Sequence, residues 1–295
     1  MMKKAFTMIE LIFVIVIMGI LAKFGFEFLA QAYNTFIFSK INSDLQARSN
    51  HAVEFIAKRL EARIPPSTIK RISSTNSFVG APEVVTNPDD YNILEWIGYD
   101  IDGFRGTDSP LWSGIIDFDD TLTTPTQLTS PGTDTTALSN LISILSYSNS
   151  TIADAAIMFN GANHNRDSFG WDGGTVLNDQ SQSIHPITST TLNVFTSSIS
   201  GVNFSGVTLY NRYMLAWTAY AVVHNPTTKE LFFHYDYQPW DGESYGDGKS
   251  SLLMENVSEF RIKPSNDGRL FSIKVCVDSN LTNEEHSLCK EKTIF

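Results

Sequence analysis

Three clusters of side-chain oxygens have the residue types and spacing to hold a hard divalent cation. Asp100-Ile-Asp102-Gly103, with Asp108 further on, begins like a calcium loop. Phe104 and Leu111, however, stand where such a loop needs its fifth-position ligand and its bidentate Glu. Asp117, Asp119 and Asp120 form a second acidic knot. Asp241, Glu243 and Asp247 form a third, inside the Gly-rich run Trp240-Asp-Gly-Glu-Ser-Tyr-Gly-Asp-Gly248. Ca²⁺ is therefore a candidate ligand. The simpler expectation is that these residues make turns, because Asp accepts bonds from its own following backbone and Gly tolerates left-handed conformations.

Other chemistry is sparse. The histidines His51, His164, His185, His224, His234 and His286 are scattered. His224 and His234 flank an expected hairpin and could face each other, as a cross-strand pair rather than a zinc site, since no third ligand is in view. Trp171, Trp240, Tyr237 and Tyr245 could grip a partner or a sugar. The competing expectation is that they plug the edge of their own core. No G-x-S-x-G, H-E-x-x-H or phosphate-binding glycine loop is present, so no enzymatic activity is expected. The two cysteines, Cys276 and Cys289, are too few for a disulfide scaffold, a four-Cys zinc site or an iron–sulfur cluster. In an oxidising compartment a disulfide between them would close a short loop and add roughly 3 kcal/mol; the alternative is two unpaired thiols.

The charge inside the first apolar run has more to say. Lys3 and Lys4 precede Phe6–Ala22, which is almost wholly apolar except for Glu10, and Lys23 ends it. With Phe24, Phe26, Phe28 and Leu29 extending the apolar character and Lys23 able to snorkel, the segment is long enough to span a bilayer, which takes roughly 20 residues. Lys3 and Lys4 then stay on the cytoplasmic side. A cleaved secretory signal explains the basic start and the small residues of Ala30-Gln31-Ala32, but not Glu10, Lys23 and Glu27. A plain anchor explains the hydrophobicity but not a carboxylate whose insertion costs roughly 2.5–3.5 kcal/mol.

The run Lys3-Lys4-Ala5-Phe6-Thr7-Met8-Ile9-Glu10-Leu11, with the apolar stretch behind it, closely resembles the type IV prepilin signature, which also marks the pseudopilins of type II secretion. The resemblance implies a leader of residues 1–5, removed between Ala5 and Phe6 by an inner-membrane aspartic prepilin peptidase that also methylates the new terminus at Phe6. The residue before the cut is usually Gly in that family and is Ala5 here. Glu10 matches the family's glutamate at the fifth mature position. Its implied role is to neutralise the Phe6 ammonium of a neighbouring subunit in a low-dielectric filament core. The implied partners are the prepilin peptidase, other pilin or pseudopilin subunits, the inner-membrane assembly platform and the lipid bilayer. The implied location is the bacterial inner membrane, single-pass, with the C-terminal domain in the periplasm or carried into a pseudopilus or surface pilus. Pilin-like proteins also often staple a C-terminal loop with a disulfide, which fits Cys276 and Cys289.

The elements that position these residues follow from pattern. Tyr33, Ile37, Ile41, Leu45, Ala52, Ile56 and Leu60 recur at helical spacing, with Arg48 in the one gap, and Pro65-Pro66 stops the helix. The expected helix thus has a membrane half over 6–29 and a periplasmic half over 30–64, about 88 Å in all, with Gly19 and Gly25 as places for a kink. The head, 65–295, reads as a loop-rich insertion over about 67–205 followed by a strand-rich region over about 209–278. Within the insertion, Ile93–Ile97, Leu111–Phe118 and Ala155–Phe159 are short apolar runs. Residues 121–136 read as an exposed loop and Ala137–Tyr147 as a short helix. Tyr213–His224 and Glu230–Tyr237 read as a hairpin. Leu252–Lys263 and Leu270–Asp278 read as a second strand pair around a turn at residues 265–268. A long helix followed by antiparallel strands is α+β, and it matches the pilin fold.

With 295 residues, 21 Lys+Arg and 32 Asp+Glu, the chain is large enough for a substantial core and carries a net charge of −11. That balance argues against general nucleic-acid binding, which needs clustered cations. The size suits a minor rather than a major subunit, loosely of the J type; Glu10 argues against the K-type tip subunit. A periplasmic binding or sensing domain on a single anchor that never polymerises, and a minor pilin for adhesion or DNA uptake, are the alternatives.

Overall fold

The computed structural model describes residues 7–173, 176–180, 183–265, 270–279 and 287–295. A single helix, α1 (Met8–Leu60), opens the chain. Thr7 caps it in a reciprocal capping box with Glu10. The helix is unbroken for 53 residues, about 80 Å, and remains helical at Gly19 and Gly25, with no local melting there. It also ends before the two prolines reach it. The Ile64 amide donates to Ile97 O at 2.8 Å and Arg63 bridges to Gly98, so the chain is already drawn into a sheet before Pro65.

The head then runs β1 (Ile69–Arg71), β2 (Phe78–Gly80), β3 (Ile93–Gly98), α2 (Ile101–Arg105), β4 (Gln127–Thr129), α3 (Thr135–Leu145), β5 (Ala156–Phe159), β6 (His185–Thr191) and β7 (Val194–Ser197). It continues with β8 (Tyr213–Ala216), β9 (Thr218–Asn225), β10 (Glu230–Tyr235), β11 (Lys249–Met254), β12 (Val257–Pro264), β13 (Phe271–Asp278) and β14 (Ser287–Ile294). Three antiparallel sheets result. Their orders are β11-β10-β9-β3-β1-β2, β4-β7-β6-β5-β8 and β12-β13-β14. The architecture is α+β.

Both faces of the six-stranded sheet are covered. On one, Leu94, Trp96, Val222, Leu231 and Phe233 meet the C-terminal third of α1 and the inner face of the three-stranded sheet, including Phe260, Ile273 and Val275. On the other, Ile69, Ile93, Ile97, Ala219 and Ala221 meet Met158, Phe169, Trp171 and Trp240. Two-sided burial is seen directly in β3, all six of whose residues are buried, including Glu95. The third core lies in the five-stranded sheet, where Leu138 and Ile142 of α3 close over Ile157, Ile187, Phe195 and Leu215.

Several expectations are corrected. The loop-rich region over 67–205 also supplies β1 to β3 of the main sheet and four strands of the second. In the apolar run Leu111–Phe118, Trp112 and Ile116 enter the core of the five-stranded sheet, and Ile115 bridges to Arg212. Residues 121–136 are not an exposed loop throughout, because β4 pairs with β7 and Leu128, Ser130 and Thr133 are buried. Tyr213–His224 splits at Trp217 into strands of two different sheets. The Trp217 carbonyl there takes the Gln238 side-chain amide at 2.8 Å. Leu252 belongs to β11, not to the β12–β13 pair, since Asn256 adopts a left-handed conformation between them (φ 61°). The turn expected at 265–268 lies outside the described residues from 266 onward.

Candidate functional site

The helix α1 is two elements in one. From Ile41 onward its apolar side chains enter the head core, with Ile41, Leu45, Ser49, Ala52, Val53, Ile56, Ala57 and Leu60 buried. Ser49, not Arg48, fills the gap in the stripe. A small side chain lets the helix lie close, while Arg48 turns outward to pair with Asp44 at 3.0 Å. The seam is reinforced by Arg59, which sits over the rings of Phe55, Tyr220 and Phe233 at 5.5 to 5.9 Å. Lys292 of β14 pairs with Glu54 at 2.6 Å.

From Met8 to Phe36, by contrast, every side chain is exposed, and among the described residues nothing covers them. Each large apolar side chain left in water forgoes roughly 1.5–3 kcal/mol of transfer free energy. More than a dozen in succession therefore require an apolar environment outside the chain. The segment is long and apolar enough to cross a membrane.

Glu10 lies in the first turn of this exposed half. Its Oε2 accepts from the Thr7 amide at 2.9 Å and the Thr7 hydroxyl at 2.8 Å, and Thr7 Oγ1 accepts from the Glu10 amide at 3.4 Å. The negative charge sits at the helix N-terminus, where the backbone dipole favours it. Lys23 and Glu27 pair one turn apart at 3.8 Å. Ala5 and Phe6, the residues on either side of the expected cut, lie outside the described residues.

The acidic clusters are occupied with local structure. Asp100 caps α2, taking the Gly103 amide at 3.0 Å and the Trp112 indole N–H at 3.2 Å, and burial pushes its carboxyl up to about 6. Asp102 follows it into α2. Asp117 takes the Asp119 amide and Asp120 takes the Leu122 amide, both as short turns. Asp247 takes the amide and hydroxyl of Ser244 at 2.8 Å, and Glu243 takes the Gln238 amide. Asp241 is pushed up to about 6 by burial, with Asp154 and Glu243 adding to the effect.

Among the described residues, one set of three ligand-type side chains brings its ligand atoms within 4.8 Å of one another: Glu259, Cys276 and Cys289. There the two sulfurs are bonded to each other, joining directly opposite residues of β13 and β14.

His224 and His234 do not face each other. The β9–β10 register places His224 opposite Leu231 and His234 opposite Ala221. Their rings bond the carbonyls of Val257 and Tyr245 instead, at 2.9 and 2.8 Å. Trp171, Trp240 and Tyr237 are buried and Tyr245 half-buried, so these aromatics plug the core. His286 lies outside the described residues.

Sequence reasoning missed the buried ion pair between Arg71 of β1 and Glu95 of β3. Tyr237 donates to Glu95 at 3.1 Å, and Arg71 also reaches Trp171 O at 2.8 Å and Asn76 Oδ1 at 2.9 Å. The one available signal is a Glu inside the apolar run Ile93–Ile97, which demands a partner. No protein-family model, curated protein or solved structure matches this chain.

Proposed function

We propose that this chain is a structural, non-enzymatic minor subunit of a pilin-like filament, a type II secretion pseudopilus or a type IV pilus. Before assembly it is held in the bacterial inner membrane with its head in the periplasm. The observation that carries this reading is the division of α1. One end is welded into the head core, while the other, with Glu10 in its first turn, is an apolar rod exposed on all sides. A bilayer can cover such a rod, and so can the equivalent helices of neighbouring subunits. Cleavage between Ala5 and Phe6 by a prepilin peptidase creates an ammonium at Phe6, and Glu10 of an adjacent subunit neutralises it as the helices pack. The assembly platform and fellow subunits are the protein partners, and the acidic head faces secreted or surface partners.

The capping box favours a second reading, since Thr7 already satisfies Glu10 within its own chain. A singly anchored binding or sensing domain needs nothing more of that carboxylate. Glu10→Gln separates the two. Gln still accepts from the Thr7 amide, which preserves the cap, but it has no charge to set against an ammonium. The filament reading predicts a processed, membrane-inserted protein that is absent from sheared or cross-linked filaments. Absence of wild type and Glu10→Gln alike from filaments, with the function of the head intact in both, would overturn the filament reading and leave the anchored one standing.

A further inference from the structure

The three sheets end in β2, β4, β8, β11, β12 and β14, and these edges are not alike. β2 and β4 are only three residues long. β8 is already bonded from outside, the Tyr213 amide donating to Gly114 O at 3.0 Å and the Asp100 amide to Leu215 O at 2.7 Å. β12 carries Glu259, Arg261 and Lys263, and β14 carries Lys290, Glu291 and Lys292, the rows of charge that keep an edge from pairing. β11 has neither defence. After Lys249 it runs Ser-Ser-Leu-Leu-Met, and Ser250, Ser251 and Leu252 are exposed. Among the described residues no backbone group bonds to its outer side. Alternate residues of such a strand turn N–H and C=O away from the sheet, where another main chain can take them.

Beside this edge, between α1 and strands β9 to β11, lies a cleft of about 580 Å³. Strand register lays its floor. Tyr220, Tyr235 and Lys249 stand in one row across the strands, and Phe233 stands beside Ser251 in the next. Phe233 stacks on both tyrosines, with ring centroids 5.6 and 5.9 Å apart. The ladder then slips from the Phe232–Leu252 pair to Leu231–Met254, leaving Leu253 unpaired in a bulge, and Leu252 and Leu253 both line the cleft. Leu252 is 48% exposed. From α1, the Arg59 guanidinium lies over the rings of Tyr220 and Phe233, yet it forms no ion pair with any described residue. The buried acid of the lining, Asp236, is already paired with Lys249 at 2.6 Å. Asp102, at the α2 end, is exposed. The α1 wall thus offers an open cation above an aromatic floor.

We propose that an extended segment of a partner polypeptide adds to β11 as a further strand over Lys249–Leu252, lays an apolar side chain in the cleft and sets a carboxylate against Arg59. The open main chain makes the occupant a polypeptide, and the unpaired guanidinium makes it acidic beside its apolar anchor. Alternate side chains of an added strand face α1, and one opposite Ser251 passes over that small residue into the cleft. The full-length chain in lipid nanodiscs is panned against random short peptides displayed on phage, and the selected peptide is synthesised. It is expected to alternate apolar residues with an acid among them, to bind saturably, and to slow hydrogen exchange of the Lys249–Leu252 amides. Arg59→Met keeps the stem over the rings and removes the charge, and is expected to weaken binding about tenfold. Leu252→Asp, on the exposed edge, is expected to abolish it. The proposal is overturned if no peptide binds saturably, if exchange over Lys249–Leu252 is unchanged, or if either variant binds as wild type does. Peptide-free dimers that Leu252→Asp separates would also overturn it, by giving the edge to a second copy of this chain.

Discussion

Asp100 and Asp241 both have their carboxyls pushed up to about 6 by burial, from a starting value near 3.8. A raised carboxyl binds its proton more tightly folded than unfolded. Its contribution is therefore fully present below about pH 4 and is lost as the pH rises through 6. For Asp100, which is almost wholly buried, the swing is about 3 kcal/mol, from two units at 1.36 kcal/mol each. The stability difference between wild type and Asp100→Asn is accordingly expected to be larger at pH 4 than at pH 7, as read by urea unfolding at both. A difference independent of pH would contradict it. The residues of this site were only partly legible from sequence. Glu10 stood out because a charge in an apolar run is costly. The acidic clusters read equally as ligands or turns, and only the bonds to Gly103, Ser244 and Gln238 separate the two.

Among the elements, β14 holds the head to the helix. It packs along α1, pairs through Lys292 with Glu54, and its end receives the Arg63 guanidinium on Phe295 O at 2.7 Å. The Cys276–Cys289 disulfide bolts this strand to β13 across a separation of 13 residues. Removing it with Cys289→Ser is expected to lower stability by roughly 3 kcal/mol on the loop-closure argument. The check is denaturant unfolding of variant and wild type without reductant. An unchanged midpoint would mean that β14 is held by its ladder and the helix alone. Hairpin β9–β10 and the pair β12–β13 were legible because a turn cluster separates alternating runs. The break at Trp217 was not, since an aromatic residue in a β-rich run carries no sign that its two ends enter different sheets. The early end of α1 was hidden for a similar reason. Proline marks where a helix cannot continue, whereas the stop here comes from Ile64 joining β3.

At the scale of the whole molecule, one helix belongs to two environments. Its C-terminal third is part of a head built from three sheets, and its N-terminal half is an uncovered apolar rod. The rod and the α+β class were legible, because a long apolar run and a 3.6-residue stripe are strong signals. The three-sheet layout was not. Strands such as β1, β2 and β4 are three residues long, too short to show a period, and their Ser and Thr neighbours resemble loop. The central claim is that the rod enters a filament after its leader is removed. The most direct test is mass spectrometry of the N-terminal peptide from native membranes. The filament account predicts a peptide beginning at N-methylated Phe6. A peptide beginning at Met1, Met2 or Tyr33 would contradict it.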